Sequence, residues 1–279
     1  MVIVKDIKTL QKLLQNEKIN GNKIGFVPTM GALHNGHIKL ITTSCTQNEI
    51  TVCSIFVNPT QFNNAEDFKK YPITLDSDIE KLELANCNYL FLPTVTEMYP
   101  ENENKIHYNL GEIETVLEGK YRPGHFQGVC IIVDKLLIIV NPTTLYLGRK
   151  DYQQCMVINK MMQLRKHTAL LKICDTIREK DGLAMSSRNM RLNAKERIQA
   201  LKIIESLEMI KNGIQIGSLT KIKEKASIFL KENNYKVDYA EIADADTLEI
   251  QTTWDGKRKL VALVAAYLNE VRLIDNIVL

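Results

Sequence analysis

Two histidines three positions apart, His34 and His37, are the side chains of this chain most suited to chemistry. They follow the apolar run 24–27, which predicts a short buried strand, and a glycine-containing turn. An amphipathic pattern begins directly after His37, so both histidines would stand at the start of a helix. Helix N-termini offer unpaired N–H groups and the positive end of the dipole, and Gly36 would allow close backbone approach. The pattern therefore predicts hydrogen bonding to a nucleotide, at its α-phosphate.

A purely structural interpretation of the same residues stays open. His-x-Gly-His is a short pattern, and a turn carbonyl can satisfy a histidine while the glycine serves only the turn. The strand before the pattern and the helix after it favour a functional site, because phosphate chemistry needs that placement.

Composition limits the possible function classes. The length of 279 residues predicts one large and one small domain, and 45% hydrophobic residues suffice for a core. With 36 basic against 33 acidic residues, the net charge of +3 argues against a nucleic-acid or membrane-surface partner. No apolar run approaches membrane-spanning length and no signal-peptide pattern is present. The six cysteines lack a C-x-x-C pair, which indicates reduced thiols in a cytoplasmic protein rather than zinc ligands or disulfides.

Alternating strand and helix patterns over the first two thirds predict an α/β fold, a Rossmann-like doubly wound parallel sheet. The predicted strands span residues 23–27, 50–57, 89–92, 144–147 and 169–174. The predicted helices span residues 7–14 (on the surface), 36–47, 76–85, 129–139 and 152–166. Ligands of such sheets bind beyond the carboxyl ends of the strands, where residues 28–37 and 148–151 both fall.

The pattern changes near Asp175, which predicts a Rossmann-like domain over residues 1–175 and a C-terminal α+β lid domain over residues 176–279. Asn193 and Glu196 predict a capped helix running to about Lys211, and Ser218 would cap a second helix ending at Asn233. Strands are predicted at residues 235–242, 259–268 and 271–274.

Two further turns follow predicted strands. In Asn58-Pro59-Thr60-Gln61-Phe62, the amides of Asn58 and Gln61 suit recognition of hydroxyls and carboxylates, although an Asn-Pro turn alone explains the pattern. In residues 148–154, Lys150 would neutralise phosphate charge in a transition state, Asp151 could cap the helix and Gln154 could reach inward. A solvated charged turn is the alternative.

Residues 181–189, DGLAMSSRN, lie where the two predicted domains join. Two hydroxyls, main-chain N–H groups and an arginine would make a flexible loop that closes over a triphosphate. A polar linker is the alternative interpretation.

These segments together resemble the pantothenate synthetases (pantoate–β-alanine ligases), a family of the HxGH nucleotidyltransferase-like superfamily. The resemblance lies in MGALHNGH (30–37), SIFVNPTQF (54–62), RPGHFQGV (122–129), GRKDYQQ (148–154) and DGLAMSSRN (181–189), in that order. His-x-Gly-His alone also occurs in nucleotidyltransferases and class I aminoacyl-tRNA synthetases. The ordered set of motifs is far more specific.

The resemblance implies a two-step ligation. Pantoate attacks the α-phosphate of ATP and releases pyrophosphate, and β-alanine then attacks the resulting pantoyl adenylate and expels AMP. It also implies Mg²⁺ bound with ATP, a homodimer, and closure of the C-terminal domain over the nucleotide.

The resemblance further implies roles for individual residues. His37 is similar to the proton donor, His34 to its phosphate-binding companion and Lys150 to the lysine that stabilises adenylyl transfer. Gln61 and Gln154 are similar to the pantoate-binding glutamines, with Gln61 also near β-alanine. The implied ATP contacts are Met30, Gly31, Ala32, Leu33, His34, Asn35, Gly36, His37, Gly148, Arg149, Lys150, Asp151, Ile177, Met185, Ser186, Ser187 and Arg188. No residue is implied as a metal ligand.

The chain departs from the family pattern at three positions. Arg149 stands where an acidic or amide residue is usual, Asn63 replaces a glycine, and Asn141 replaces a glutamine. No chemical role is assigned to RPGHF, residues 122–126.

Three rival functions are less consistent with the sequence. An adenylyl- or cytidylyltransferase does not require the NPTQF segment and two glutamines. A nucleotide-binding module without catalysis does not require intact His34, His37 and Lys150. An RNA-ligating synthetase needs a tRNA-binding surface that the near-neutral charge does not suggest.

Overall fold

The computed structural model describes residues 1–63, 68–100 and 106–279. A six-stranded parallel sheet with helices on both faces forms the first unit, and a smaller α+β unit with antiparallel sheets follows it. The predicted fold class is confirmed.

The six strands of the first unit meet in an order that brings two distant turns together. They are β1 (Val2–Val4), β2 (Ile24–Thr29), β3 (Ile50–Ile55), β4 (Tyr89–Phe91), β5 (Thr144–Gly148) and β6 (Leu170–Cys174). The order across the sheet is β1-β4-β3-β2-β5-β6, and every neighbouring pair is parallel. The chain builds outward from β2 and then returns to place β5 directly beside it, so the topological switch point lies between these two strands.

Two helical layers cover this sheet. The helices are α1 (Ile7–Ile19), α2 (Asn35–Gln47), α3 (Leu75–Leu84), α4 (Val95–Met98), α5 (Glu118–Tyr121), α6 (His125–Val140) and α7 (Tyr152–Leu164). Short 3₁₀ helices span Pro59–Gln61, Gly111–Glu114 and Arg149–Asp151. Because strand side chains alternate between faces, Phe26 enters the core formed with α6 and α7, while Val27 enters the core formed with α2.

The second unit contains α8 (Ala194–Gln199), α9 (Lys202–Gly213) and α10 (Thr220–Glu232), after a 3₁₀ helix at Ser187–Arg191. Its strands are β7 (Gly217–Ser218), β8 (Tyr235–Asp244), β9 (Thr253–Trp254), β10 (Leu260–Leu268) and β11 (Val271–Val278). The main sheet has the antiparallel order β11-β10-β8, and β7 pairs with β9.

Strand β10 is buried on both faces, which explains its unbroken apolar sequence. Leu260 and Val264 pack into the core of the second unit, whereas Val261 and Leu263 pack with Leu117 of the first unit. The sheet itself is therefore the surface through which the second unit contacts the first.

A buried ion pair fixes β11 against the first unit. Arg272 donates from Nη1 and Nη2 to the carboxylate of Glu118 at 2.7 and 2.8 Å, and the Tyr239 hydroxyl donates to the same carboxylate at 2.8 Å. Burial alone would raise the pKa of Glu118, but Arg272 outweighs it and the pKa is lowered, so the carboxylate stays charged and paired.

The structure differs from the predicted elements in several places, of which three have a local reason. Strand β1 was not predicted, because three residues at a sheet edge are too short to show alternation. The helix predicted to run from Asn193 to Lys211 is split into α8 and α9, since the N–H groups of Leu201 and Ile203 bond three residues back instead of four. The predicted Ser218 cap is displaced by one residue: the N-cap of α10 is Leu219, and Ser218 Oγ, one position earlier, accepts from the N–H of Thr220 at 3.4 Å.

The predicted cap at the start of α8 is confirmed. Asn193 and Glu196 form a capping box. All six cysteines are free thiols, and Cys53, Cys87, Cys130 and Cys155 are buried. Over the described ranges, every helix is too short or too polar to cross a membrane.

Candidate active site

The turn between β2 and α2, here called the histidine turn (residues 30–37), is fixed by α3. Gly31 and Ala32 adopt left-handed backbone conformations, with φ of 83° and 50°. The carboxylate of Asp78, only 1% exposed, accepts hydrogen bonds from the main-chain N–H groups of Ala32 and Leu33, both at 2.8 Å. Lys81 Nζ donates to the carbonyl of Leu33 at 2.7 Å. The turn is held entirely by residues of the first unit.

The two histidines cap the helix and each other. Nδ1 of His34, the N-cap of α2, accepts from the N–H of Gly36 at 3.1 Å. Nδ1 of His37 accepts from the N–H of His34 at 3.3 Å, and the ring centroids are 4.1 Å apart. Since Nδ1 is the acceptor in both rings, each neutral imidazole carries its proton on Nε2. Both rings therefore offer an N–H donor at Nε2.

Gly36 is required by the ring of His34. A Cβ at position 36 would lie 2.8 Å from Cε1 of His34, closer than side chains tolerate. The sequence predicts close approach at this glycine, and the group that approaches within the protein is the neighbouring imidazole.

Both imidazoles are neutral near pH 7. Burial, helped by the charge of Lys150, lowers the pKa of His34 to about 4. Burial, His34 and Lys150 lower the pKa of His37 well below its ordinary value. Near pH 7 these side chains are therefore hydrogen-bond donors rather than cations.

The turn after β5, here called the lysine turn (residues 148–151), forms the opposite wall. Lys150 Nζ lies 3.5 Å from Oδ1 of Asp151, and the lysine side chain is 17% exposed. Burial opposes ionisation of Asp151, but Lys150 and Arg188 outweigh it and lower its pKa. Arg149 pairs with Asp175, Nη1 to Oδ1 at 2.5 Å, with its side chain 38% exposed. The lysine and its neighbouring carboxylate are thus both charged beside the histidines.

Gln61 is held from three sides. Its Oε1 accepts from Nδ2 of Asn58 at 3.1 Å, and its Nε2 lies 3.2 Å from Sδ of Met30. Nδ1 of His125 lies 2.8 Å from the carbonyl oxygen of Gln61. A carbonyl only accepts, so His125 donates there, and burial together with Arg122 lowers its pKa to about 4. The RPGHF segment therefore positions Gln61, a role that the sequence analysis did not assign.

Gln154 lies on the first turn of α7. Its side chain lines the same cavity as the histidines and is half-buried. It makes no side-chain hydrogen bond within residues 1–63, 68–100 and 106–279. Its amide is available to a ligand.

The loop that joins the two units completes the site. The carbonyl of Ile177 accepts from the N–H of Met185 at 3.0 Å, and Ser186 Oγ accepts from the N–H of Arg188 at 3.3 Å. Ser187 Oγ lies 3.5 Å from the hydroxyl of Tyr71 in the first unit. The loop thus folds back over the carboxyl edge of the large sheet.

One cavity of about 240 Å³ lies between these segments. The predicted site residues that line it are Met30, His34, Gly36, His37, Gln61, Gly148, Lys150, Asp151, Gln154, Ile177, Met185, Ser186, Ser187 and Arg188. Gly31, Ala32, Leu33, Asn35 and Arg149 do not line it: three of them shape the histidine turn, Asn35 is exposed, and Arg149 faces Asp175.

The cavity also contains residues that the sequence analysis missed. Tyr71, His125, Tyr239, Asp275 and Asn276 line it. Only His125 lies in a motif that could have indicated it. The others come from distant parts of the chain and carry no local signal.

Comparison with known proteins identifies the family. Residues 2–278 match the family described as pantoate-beta-alanine ligase. The pantothenate synthetase of Cytophaga hutchinsonii is 43% identical, covering 100% of this chain and 99% of that protein. The enzyme of the same name from Flavobacterium psychrophilum is 44% identical over 98% of this chain and 96% of its own length.

Solved structures agree with this assignment. The pantothenate synthetase of Thermus thermophilus superposes with a TM-score of 0.90 at 35% identity, covering 99% of each chain. The pantoate-beta-alanine ligase of Francisella tularensis, complexed with beta-gamma ATP and β-alanine, superposes with a TM-score of 0.79 at 37% identity, covering 99% of this chain and 97% of that one. The chain therefore belongs to the pantoate–β-alanine ligase family, and it is a ligase.

Proposed function

We propose that this enzyme joins pantoate to β-alanine in two steps, with a pantoyl adenylate as the intermediate and ATP as the substrate that drives it. The observation that carries the proposal is the convergence of neutral His34 and His37, charged Lys150, and the amides of Gln61 and Gln154 on one cavity. Groups that can donate hydrogen bonds to a phosphate occupy one part of that cavity, and neutral amides occupy another. The arrangement suits a reaction that brings a nucleotide phosphate and a hydroxy acid together.

In the first step, a pantoate carboxylate oxygen bonds to the α-phosphorus while the bond to the pyrophosphate oxygen breaks. Negative charge builds up on the phosphate oxygens and on the leaving group. We assign stabilisation of that charge to the Nε2–H donors of His34 and His37 and to the ammonium group of Lys150, which line the same cavity. Because the imidazoles are neutral, they serve without the charge repulsion that two adjacent cations would suffer.

In the second step, the amine of β-alanine bonds to the acyl carbon, loses a proton, and the bond to the AMP oxygen breaks. A free carboxylate is a poor acyl donor, and the adenylate provides the leaving group. Gln61 and Gln154 can bind the pantoate oxygens on the amide side of the cavity. Because both side chains are uncharged, they add no charge near the acyl group.

The nucleotide contacts are part of the proposal. We assign ATP to the histidine turn, the lysine turn, Ile177, and residues 185–188. The Francisella ligase, a relative complexed with beta-gamma ATP and β-alanine, supports the assignment of both ligands to this fold.

Mg²⁺ would accompany the nucleotide, since this ion is usually held by substrate phosphates with one or two carboxylates. Three cavity carboxylates, Glu118, Asp175 and Asp275, are each paired with an arginine. Asp151 fits the role better, because its ion pair with Lys150 is longer, at 3.5 Å. The bound ion would neutralise phosphate charge.

Further parts of the proposal concern organisation. We assign residues 1–175 to the nucleotide- and pantoate-binding domain and residues 176–279 to a lid domain, and we infer a cytoplasmic homodimer from the family resemblance. Light scattering checks the last point: a mass near 31.9 kDa, that of one chain, would contradict the dimer.

The deciding experiment is isotope exchange between ATP and pyrophosphate. Pantoate should support exchange with no β-alanine present, because the adenylate forms first. Adding β-alanine should yield AMP and pantothenate. Exchange that requires β-alanine, or release of ADP, contradicts the adenylate course. A stable nucleotide-linked product would instead indicate a nucleotidyltransferase.

A further inference from the structure

Asn276 reaches the lysine turn from the other unit of the molecule. It lies on β11, and its Nδ2 donates to the main-chain oxygens of Arg149 at 3.0 Å and Lys150 at 2.8 Å. The residue is 4% exposed and lines the cavity. One amide from the second unit thus holds two successive carbonyls beside the lysine.

Stability alone does not explain this asparagine. The two carbonyls accept only, so Nδ2 must face them and the orientation of the amide is determined. Oδ1 is then buried without a hydrogen-bond partner among the described residues. An unpaired buried acceptor destabilises the fold. The unpaired Oδ1 of Asn276 therefore indicates that this residue has a role in the cavity other than stability.

The backbone of Asn276 is itself anchored. Its N–H donates to Oδ1 of Asp275 at 2.8 Å, and Asp275 binds Arg178 through both oxygens at 2.6 and 3.2 Å. Arg178 also donates to the carbonyl of Gly182 at 3.1 Å, at the base of the loop over the cavity. The end of β11 therefore connects that loop to the lysine turn.

We propose that Asn276 is a positioning residue for Lys150, which holds the lysine turn in its working geometry only while β11 is docked against the first unit. The proposal rests on the proposed function, because it takes Lys150 as the group that stabilises adenylyl transfer. Hydrogen bonds of about 3 Å weaken steeply with displacement. A movement of β11 by about 1 Å would release the turn, and errors of that size can slow a reaction by about 10²-fold. The second unit thus determines the position of Lys150 in addition to covering the nucleotide.

The first test is the pair Asn276→Ala and Asn276→Asp in pantoate-dependent ATP–pyrophosphate exchange. Asn276→Ala should lower kcat by about ten- to a hundredfold and change the KM for ATP by less than about threefold. Asn276→Asp should be at least as slow, because a carboxylate cannot donate and would face two carbonyl oxygens. Wild-type kcat in Asn276→Ala overturns the proposal. Activity kept in Asn276→Asp but lost in Asn276→Ala also overturns it, since Oδ1 would then be the working atom.

The second test asks whether Asn276 acts through Lys150. In a Lys150→Ala background, Asn276→Ala should add less than about a threefold loss, because the group being positioned is already absent. A full additional loss would show independent action and overturn the proposal. If Lys150→Ala itself has wild-type activity, the proposed function fails instead, so the two failures are distinguishable.

Asn233 provides the matched control. It lies in the same unit, its amide also donates to a main-chain carbonyl, that of Phe229 at 2.8 Å, and it does not line the cavity. Asn233→Ala should keep wild-type exchange kinetics, and a loss of exchange equal to that of Asn276→Ala would overturn the proposal. Should Asn276→Ala fail to fold, the nearly isosteric Asn276→Asp carries the test by itself.

Discussion

The histidine turn and the lysine turn end neighbouring parallel strands, yet they are held in different ways. Asp78 and Lys81, both on α3 of the first unit, fix the histidine turn. The carbonyls of the lysine turn are held by Asn276, from β11 of the second unit. One wall of the site is thus complete within a single unit, whereas the other depends on how the two units dock.

The histidine turn is therefore preorganised within the first unit, whereas the geometry of the lysine turn is coupled to the docking of the second unit. The hydrogen bonds that hold the histidine turn do not depend on the position of the second unit. A lysine held across the boundary is in place only when the units are docked. Changes at the histidine turn should therefore alter stability and chemistry together, and changes at the boundary should alter mainly the chemistry.

The largest expected effect comes from removing a side chain that donates a hydrogen bond to the reacting phosphate. His37→Ala or Lys150→Ala should slow adenylate formation by about 10²-fold or more, the scale seen when a transition-state donor is lost. Thermal unfolding should barely change for Lys150→Ala. His37→Ala should also lower the melting temperature, because it leaves the N–H of His34 without its acceptor. Pantoate-dependent isotope exchange measures the rate, with exposed His107→Ala and Lys160→Ala as controls. Near-wild-type turnover in either cavity variant would assign that residue to structure.

The second-largest effect is expected from removing the Asp78 hydrogen bonds that hold the histidine turn, which should lower the free energy of unfolding. Asp78→Ala leaves the buried N–H groups of Ala32 and Leu33 unpaired, so the free energy of unfolding should fall by roughly 2–4 kcal/mol. Activity should fall with it. Urea titration checks the change, and exposed Asp76→Ala on the same helix is the control. If Asp78→Ala kept wild-type stability while Asn276→Ala lost it, the comparison between the two turns would be reversed.

The amide side of the cavity should respond through substrate affinity. Gln154→Ala should weaken pantoate binding by roughly 1–3 kcal/mol, since pantoate oxygens lose a partner, and should weaken ATP binding much less. Titration calorimetry with each ligand measures both, and exposed Gln163→Ala on the same helix is the control. Equal losses for both ligands would mean that Gln154 supports the turn.

The histidine turn should also make stability depend on pH. The pKa of His34 is lowered to about 4 in the folded protein, while the unfolded chain titrates near 6.5. The unfolded state then binds more protons between these values, so stability is full above pH 6.5 and declines as the pH falls toward 4. At pH 5 the decline from His34 should not exceed about 2 kcal/mol. Urea unfolding at pH 7.5 and 5 should show a smaller decline for His34→Asn, which keeps a good N-cap. An unchanged decline would show that His34 is not buried as described.

The smallest effect is expected at Arg149, on the exposed rim. Its pair with Asp175 is partly exposed, and such pairs contribute less than about 1 kcal/mol. Arg149→Gln should raise the KM for ATP by less than about tenfold and leave kcat nearly unchanged. The increase in KM should be smaller in high salt, because salt screens the charge. Steady-state kinetics at two ionic strengths measure this. A large kcat loss that salt does not reduce would place Arg149 at the reacting phosphate.

Local patterns in the sequence determined the elements and the chemistry they carry. The apolar run before Pro28, the glycine turn and the amphipathic helix predicted both the histidine turn and its position after a buried strand. Near-neighbour forces suffice there, because hydrogen bonds between residues two or three apart, such as those of His34 and His37, are encoded within one segment. Where local bonding was finely balanced, at Leu201 and Ser218, the predicted helix boundaries were wrong.

Tertiary structure alone decided which turns meet and what holds them. β2 and β5 are neighbours although more than a hundred residues separate them, because the sheet returns to its centre after β4. Asp78, His125 and Asn276 act on turns far from them in sequence, each through one or two hydrogen bonds that leave no periodic pattern. The sequence by itself determined the reacting groups. Their mutual positions depend on long-range packing of the sheet and on the docking of β11, which no local pattern records.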